Sequence, residues 1–273
     1  MKKFEGILIC TDLDGTLLRE DGSVSKENLA AIAHFQEEGG FFTFITGRMP
    51  YFAAPIYEKI KPNAPFGCIN GGGIYDHRKK EYVYKQPISR EVFELVDYAY
   101  ENVEGIGIQV NGFEHLYFAT ENSAMVAFRE KTGVPNLVSP YREVTEDFGK
   151  ILFGDEREEA IQALARLLPT HPKAHMFDFI RSEQTLYEIL PKGVNKGNLL
   201  PRLALHLGVD MKRTVALGDY DNDVEMLKAA GLGVAVANAV PKAKEAADVI
   251  TVSNEENAIA RVIADIEAGR LPV

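Results

Sequence analysis

Short apolar runs that break off in polar residues recur along the first ninety positions. Residues 4–10, 41–45 and 66–69 are three of them. Continuous apolar runs of this length predict strands buried on both faces, as in a parallel sheet. Between the first two, Leu29, Ile32, Ala33 and Phe35 fall at near-helical spacing behind a capping residue, Ser25, and Gly39-Gly40 stop the helix. A second helix passes through Tyr57 and Ile60 and ends before Pro62. Asn70-Gly71-Gly72-Gly73 then turns the chain, and residues 74–75 and 82–84 predict a hairpin around 77–80. The last eighty residues repeat the alternation. A helix spans 195–207 with Gly208 beyond it, strands 214–217, 233–236 and 248–252 follow, and a helix covers 224–230. Repeated strand–helix alternation predicts an α/β fold, a parallel sheet with helices on both faces.

The middle of the chain reads differently. It has helical patterns at 89–100, 122–131 and 156–167, and strand-like runs at 106–110, 116–119, 151–153, 176–180 and 185–190. Several of these runs alternate in polarity, as in an antiparallel sheet with one wet face. The pattern predicts an inserted α+β domain, 85–190, entered near Gln86-Pro87 and left near Pro191. The flanks, 1–84 and 191–273, form the other domain.

Composition narrows the function. The 273 residues suffice for one or two domains. With 46% hydrophobic and 26% charged residues the chain is of globular type. Forty acidic against thirty basic residues leave a net charge of −10, which argues against nucleic acid or an anionic membrane as partner. One local cationic site could still take a phosphate. No apolar stretch reaches the ~18 residues of a membrane span. Lys2 and Lys3 precede an apolar run that Asp12 ends too early for a signal peptide. Cys10 and Cys68 form no C-x-x-C pair and read as buried thiols in a reducing compartment. The expectation is a cytoplasmic protein.

Candidate chemistry sits at strand ends, where ligands of open α/β sheets bind. Asp12 and Asp14, two apart on extended chain, can point the same way, and Gly15 permits a sharp bend. The same residues could equally form an Asx-turn and helix cap. Gly218-Asp219-Tyr220-Asp221-Asn222-Asp223 is a second acidic cluster. It is not an EF-hand, because Val224 and Ala230 stand where Gly and Glu are required. It is either a solvated acidic helix start or half of a site shared with Asp12. Two carboxylates ~4 Å apart repel by about 4 kcal/mol at an effective dielectric of 20. A divalent cation removes that penalty, and oxygen-only ligands favour Mg²⁺. Thr46-Gly47 offers a hydroxyl and N–H groups to phosphate, or is an ordinary strand-to-helix turn. Lys196 lies at a helix start, where the dipole opposes a cation, so it is a ligand-binding group or a surface lysine. Walker A, G-x-G-x-x-G, G-x-S-x-G and H-E-x-x-H motifs are absent from the sequence.

In this order, Asp12-x-Asp14-Gly15-Thr16, Thr46, Lys196 and Gly218-Asp219-x-x-Asn222-Asp223 resemble the haloacid dehalogenase superfamily. The long insert, the Ile69-Asn70-Gly71 turn, 192–197, and the tail through Gly233, Asn238-Ala239 and Asp248 are similar to its Cof-type branch of sugar-phosphate phosphatases. The resemblance implies a Rossmannoid parallel-sheet core, a substrate-reading cap, and a Mg²⁺-dependent phosphatase acting on a small phosphorylated metabolite. It makes Asp12 the nucleophile and Asp14 the general acid and base. Leu13, Thr46, Gly47, Lys196 and Asn222 would bind phosphate. Asp12, Asp14 (by its carbonyl), Asp219 and Asp223 would bind metal, Asp223 directly or through water. Arg129, His175, Asp178, Arg181 and Glu188 are the polar candidates in the insert. Tyr220 and Ala237 depart from the branch, and Pro201 predicts that the helix begun near Lys196 starts late or kinks. A phosphomutase of the same fold, and a non-catalytic phosphometabolite-binding protein, are the alternatives.

Overall fold

A computed structural model describes residues 2–273. The chain divides into two compact units. One comprises the flanks, up to Tyr84 and from Asn195 on; the other is Lys85–Val194. The second ends beyond Pro191 because that residue closes the last strand of its sheet.

The first unit is built on a five-stranded parallel sheet. Its strands are β1 (Leu8–Thr11), β2 (Phe41–Phe44), β12 (Thr214–Gly218), β13 (Leu232–Ala235) and β14 (Val249–Ile250), in the order β14-β13-β12-β1-β2. β1 is central, pairing Leu8–Thr11 with β2 on one side and β12 on the other. It begins four residues later than its apolar run suggests, because residues 3–6 form a turn with Gly6 at φ +78°. Ser25 caps α1 (Lys26–Glu37), its side chain accepting from the Asn28 N–H. α2 (Pro50–Ile60) follows β2 and ends at Lys61 in the left-handed conformation.

Residues 66–69 do not extend the parallel sheet. β3 (Phe66–Cys68) pairs antiparallel with β4 (Gly73–Asp76), and β5 (Glu81–Lys85) completes a separate three-stranded sheet. The isolated bridge Ile45–Gly67 and the stacked rings of Phe44 and Phe66 link β3 to the end of β2. The break follows from the residues after Cys68: Ile69, Asn70 and Gly71 all take positive φ, which ends a strand at once.

In the second unit, α3 (Val92–Asn102), α4 (Ser123–Thr132) and α5 (Glu158–Leu167) accompany a six-stranded sheet. Its strands are β6 (Gly107–Gly112), β7 (Leu116–Thr120), β8 (Leu137–Val138), β9 (Phe148–Gly154), β10 (Phe177–Glu183) and β11 (Leu186–Pro191), in the order β10-β11-β9-β6-β7-β8. All pairs are antiparallel except β7–β8. Ile108, Val110, Ile151, Phe153 and Ile189 pack with α3 and α5 residues such as Leu95 and Leu164 into one core. The alternating partners Gln109, Asn111, Lys150 and Glu188 are polar as expected but not wet: all four are buried. They pair within the layer, Asn111 donating to Gln109 Oε1 at 3.1 Å and Lys150 to Glu188 at 2.8 Å, while the buried Gln109 Nε2 finds no partner.

The chain then runs through α6 (Lys196–Leu207), β12, α7 (Val224–Ala229), β13, α8 (Pro241–Ala246), β14 and α9 (Ala258–Glu267). Of the two expectations, a late start or a kink, the late start is not met: α6 starts at Lys196 with Pro201 inside it. The proline lacks only the N–H that would reach the Gly197 carbonyl. The buried face of Leu199, Leu200 and Leu203 supplies apolar packing along the same helix. No helix of the described residues is long and apolar enough to cross a membrane.

Candidate active site

Three parallel strands deliver acidic or polar residues to one end of the first unit's sheet. Asp12 follows β1, and its N–H donates to the Leu217 carbonyl of β12 at 2.9 Å. Asp219 follows β12 directly, and Thr46 follows β2. Lys196 is the first residue of α6, whose N-cap Asn195 accepts from the Asn198 N–H at 2.8 Å.

Lys196 is fully buried, and its ammonium donates to Asp12 Oδ1 at 2.5 Å and Asp223 Oδ1 at 2.7 Å. This resolves its misfit with the helix dipole. Two carboxylates compensate a cation that the helix terminus alone would disfavour. Burial opposes the charge on Lys196, but attraction from Asp12 and Asp223 and their hydrogen bonds hold the ammonium above its usual range. The second oxygen of Asp223 accepts from the N–H groups of Asp219 at 2.9 Å and Tyr220 at 3.1 Å. Asp223 thus folds its own loop while anchoring Lys196.

Oxygens of Asp12, Asp219 and Asp223 lie within 4.8 Å of one another. Burial pushes the Asp12 carboxyl well above the ordinary range; Lys196 counters this, while Asp223, Asp219 and Asp14 add to it. Burial, then Asp223, pushes Asp219 up to about 7, against the hydrogen bond from Thr16 Oγ1 at 2.6 Å. Crowded, half-compensated oxygens of this kind are a donor set for a hard divalent cation, and the residues fit Mg²⁺. Gly15 keeps the cluster open. It has φ +80°, and a Cβ there would stand 2.5 Å from Asp219 Oδ2.

Asp14 stands apart from this triplet. Its carboxylate receives Arg48 Nε at 2.9 Å and Nη2 at 2.6 Å, a bidentate pair. The Arg48 guanidinium also lies 4.7 Å from the centre of the Phe52 ring. Leu13, between the two aspartates, is fully buried, and its carbonyl accepts from the N–H groups of Leu17 and Leu18. Thr46 Oγ1 accepts from the Arg48 N–H at 3.2 Å. Asn222 donates to Asn70 Oδ1 at 3.1 Å. Gly47 packs on the same amide, since a Cβ there would lie 3.0 Å from Asn70 Oδ1.

The sequence reading omitted Arg48, Asn70 and Asn238 from the site. Arg48 adjoins Thr46-Gly47, and its charge beside two strand-end aspartates was the available signal. Asn238 donates to the Gly15 carbonyl at 2.7 Å and accepts from Asn254, tying the bend to a distant loop; such a tie leaves no local signal. In the second unit, the polar candidates have partners of their own. Arg129 pairs with Glu121, Arg181 with Glu158, Asp178 with Lys192 and Glu188 with Lys150. His175 lies 2.9 Å from the Pro172 carbonyl.

Residues 9–263 match a family model described as haloacid dehalogenase-like hydrolase. The 5-amino-6-(5-phospho-D-ribitylamino)uracil phosphatase YitU of Bacillus subtilis is 29% identical, over 94% of this chain and 96% of that protein. A putative phosphatase of Streptococcus pyogenes serotype M6 is 27% identical over the same shares. Among solved structures, a haloacid dehalogenase-like hydrolase from B. subtilis superposes with a TM-score of 0.83 at 24% identity, covering 97% of this chain and 99% of that one. At that identity it speaks for the fold alone.

Proposed function

From the premise that the chain belongs to the haloacid dehalogenase-like hydrolases and is an enzyme of the phosphatase kind, we propose that it is a Mg²⁺-dependent phosphatase. Its substrate is a small phosphorylated metabolite, a sugar or polyol phosphate first of all, and its intermediate an aspartyl-phosphate on Asp12. The observation that carries this reading is the meeting of Asp12, Asp219, Asp223 and Lys196 at the ends of β1, β12 and α6. Two relatives named as phosphatases of a phosphoribitylamino-uracil support a polyol-phosphate substrate. Cys10 and Cys68 are buried thiols, which suits the reducing cytoplasm.

Asp12, Asp219 and the Asp14 carbonyl would hold Mg²⁺, with Asp223 directly or through water. When bound, the ion offsets the repulsion between carboxylates and phosphate and polarises a phosphoryl oxygen. An Asp12 oxygen forms a bond to phosphorus as the bond to the substrate's alcohol oxygen breaks. Asp14 gives that oxygen a proton. Water then forms the next bond to phosphorus, the Asp12–phosphorus bond breaks, and Asp14 takes the proton back. Arg48 orients Asp14 through both its oxygens. A proton on either oxygen must share it with a guanidinium N–H or displace that contact. Lys196, Thr46, Gly47, Asn222 and the Leu13 N–H hold the phosphoryl oxygens where charge accumulates.

The test is phosphate release from a panel of sugar, polyol and nucleoside phosphates, with Mg²⁺ and with chelator, for the native chain and Asp12→Asn. The reading expects Mg²⁺-dependent release that the variant lacks although it still folds. Release unaffected by chelator, or retained by Asp12→Asn, contradicts it.

A further inference from the structure

The loop after β3 is the least relaxed piece of backbone near the site. Ile69, Asn70 and Gly71 take φ of +54°, +51° and +104° in succession. A β-branched residue in the left-handed region is a true outlier, and such residues persist where their surroundings over-determine them.

Contacts to three segments of the site over-determine this loop. The Ile69 and Asn70 N–H groups donate to the carbonyls of Arg48 at 3.1 Å and Thr46 at 3.0 Å, fixing the turn between them. The Asn70 side chain is completely buried. It packs on Gly47 and accepts the Asn222 carboxamide. Gly71 lies so close to the N-cap of α6 that a Cβ would stand 2.3 Å from the Asn195 carbonyl. That cap precedes Lys196. One short loop therefore touches all three chain segments that carry Thr46 and Gly47, Asn222, and Lys196.

We propose that Asn70 is a positioning residue: its backbone and amide lock the Asn222 carboxamide and the Thr46–Gly47 turn into one rigid phosphate cradle. This rests on the functional reading above, in which those residues hold the phosphoryl group. Asn70 itself does not touch phosphate. The Asn222 carboxamide donates to the Asn70 oxygen, and without that oxygen its Nδ2 is no longer fixed in direction. The left-handed backbone explains why asparagine serves here, since it tolerates that conformation better than other side-chain-bearing residues.

The test is a double-mutant cycle with orthovanadate as probe, in Mg²⁺ buffer, on the whole chain. Asn70→Gly keeps the left-handed backbone and removes the amide; Asn70→Ser is the second variant should glycine loosen the fold. Vanadate affinity is measured by calorimetry for Asn70→Gly, Asn222→Ala and the double variant, with kcat, KM and melting temperature alongside. The expected result is a loss of about tenfold in vanadate affinity for Asn70→Gly, equivalent to ~1.4 kcal/mol. The double variant should match Asn222→Ala within about twofold, because coupled residues are not additive. Vanadate affinity unchanged in Asn70→Gly while Asn222→Ala weakens it overturns the proposal and leaves the functional reading standing. Losses that multiply in the double variant also overturn it, since Asn70 would then act apart from Asn222. Unchanged affinity in Asn222→Ala overturns both.

Discussion

Lys196 Nζ lies 2.5 Å from Asp12 Oδ1, with both side chains withdrawn from water. The pair turns a helix-start lysine and a strand-end aspartate, 184 positions apart, into one unit. Asp223 on the other side of the ammonium leaves two carboxylates dependent on one cation.

Replacing that cation should be costly twice over. Lys196→Met should lose about 3–5 kcal/mol of stability, the usual result of removing one partner from a buried ion pair. It should also lose at least ~10² in kcat if the ammonium holds developing phosphoryl charge. Urea unfolding in chelator and phosphate release in Mg²⁺ measure the two effects.

Gly15→Ala tests whether the cluster depends on the bend before Thr16. The new Cβ would sit 2.5 Å from Asp219 Oδ2 on a backbone at φ +80°. Strain of about 1–2 kcal/mol is expected from the left-handed backbone alone. Displacement of Asp219 adds a second effect, a weaker Mg²⁺ requirement curve. Titrating activity with Mg²⁺ should show the half-saturating concentration raised about tenfold or more, with the melting temperature lowered.

Arg48→Lys keeps the charge but loses the fork that grips Asp14. If Asp14 protonates the leaving oxygen, the loss should depend on the leaving group. Alkyl phosphates, which need the proton, should slow by about tenfold or more. An aryl phosphate with a good leaving group should change by less than about threefold. Equal slowing of both would mean that Arg48 serves the fold rather than Asp14.

In the second unit, hydrogen bonds from the Arg157 guanidinium to Asp155 hold its carboxyl below the usual range, against the effect of burial. A depressed carboxyl stabilises above the unfolded pKa, and that stability is lost as pH falls through the folded one. Asp155→Asn should therefore cost about 1–2 kcal/mol at pH 7. The difference from the native chain should close as pH falls below the ordinary aspartate value and through the lower folded one. Urea midpoints across pH give the comparison.

Much of the fold was legible because apolar runs and helix caps are local. β1, β2, β12 and β13 fall inside or beside their predicted runs, and Ser25 caps α1 as expected. β8, α8 and α9 escaped, the first being only two residues long and α8 only six. The sheet to which β3 belongs could not be read, since it turns on three positive φ angles, one of them at an isoleucine. In the site, the aspartates were visible by spacing. Lys196 was visible only as a misfit with its helix dipole, whose explanation lies in Asp12 and Asp223, far away in sequence. The Asn70–Asn222 contact spans 152 positions and has no local signature.

The central claim is that Asp12 carries the phosphoryl group in turnover. It is tested most directly by acid-quenching a single turnover with a ³²P-labelled substrate, then reducing the protein with borohydride and mapping the modified residue by mass spectrometry. The account predicts radiolabel on the protein within the first turnover and conversion of Asp12 to homoserine. Label appearing only as free phosphate while turnover proceeds, with Asp12 unmodified at every quench time, would contradict it.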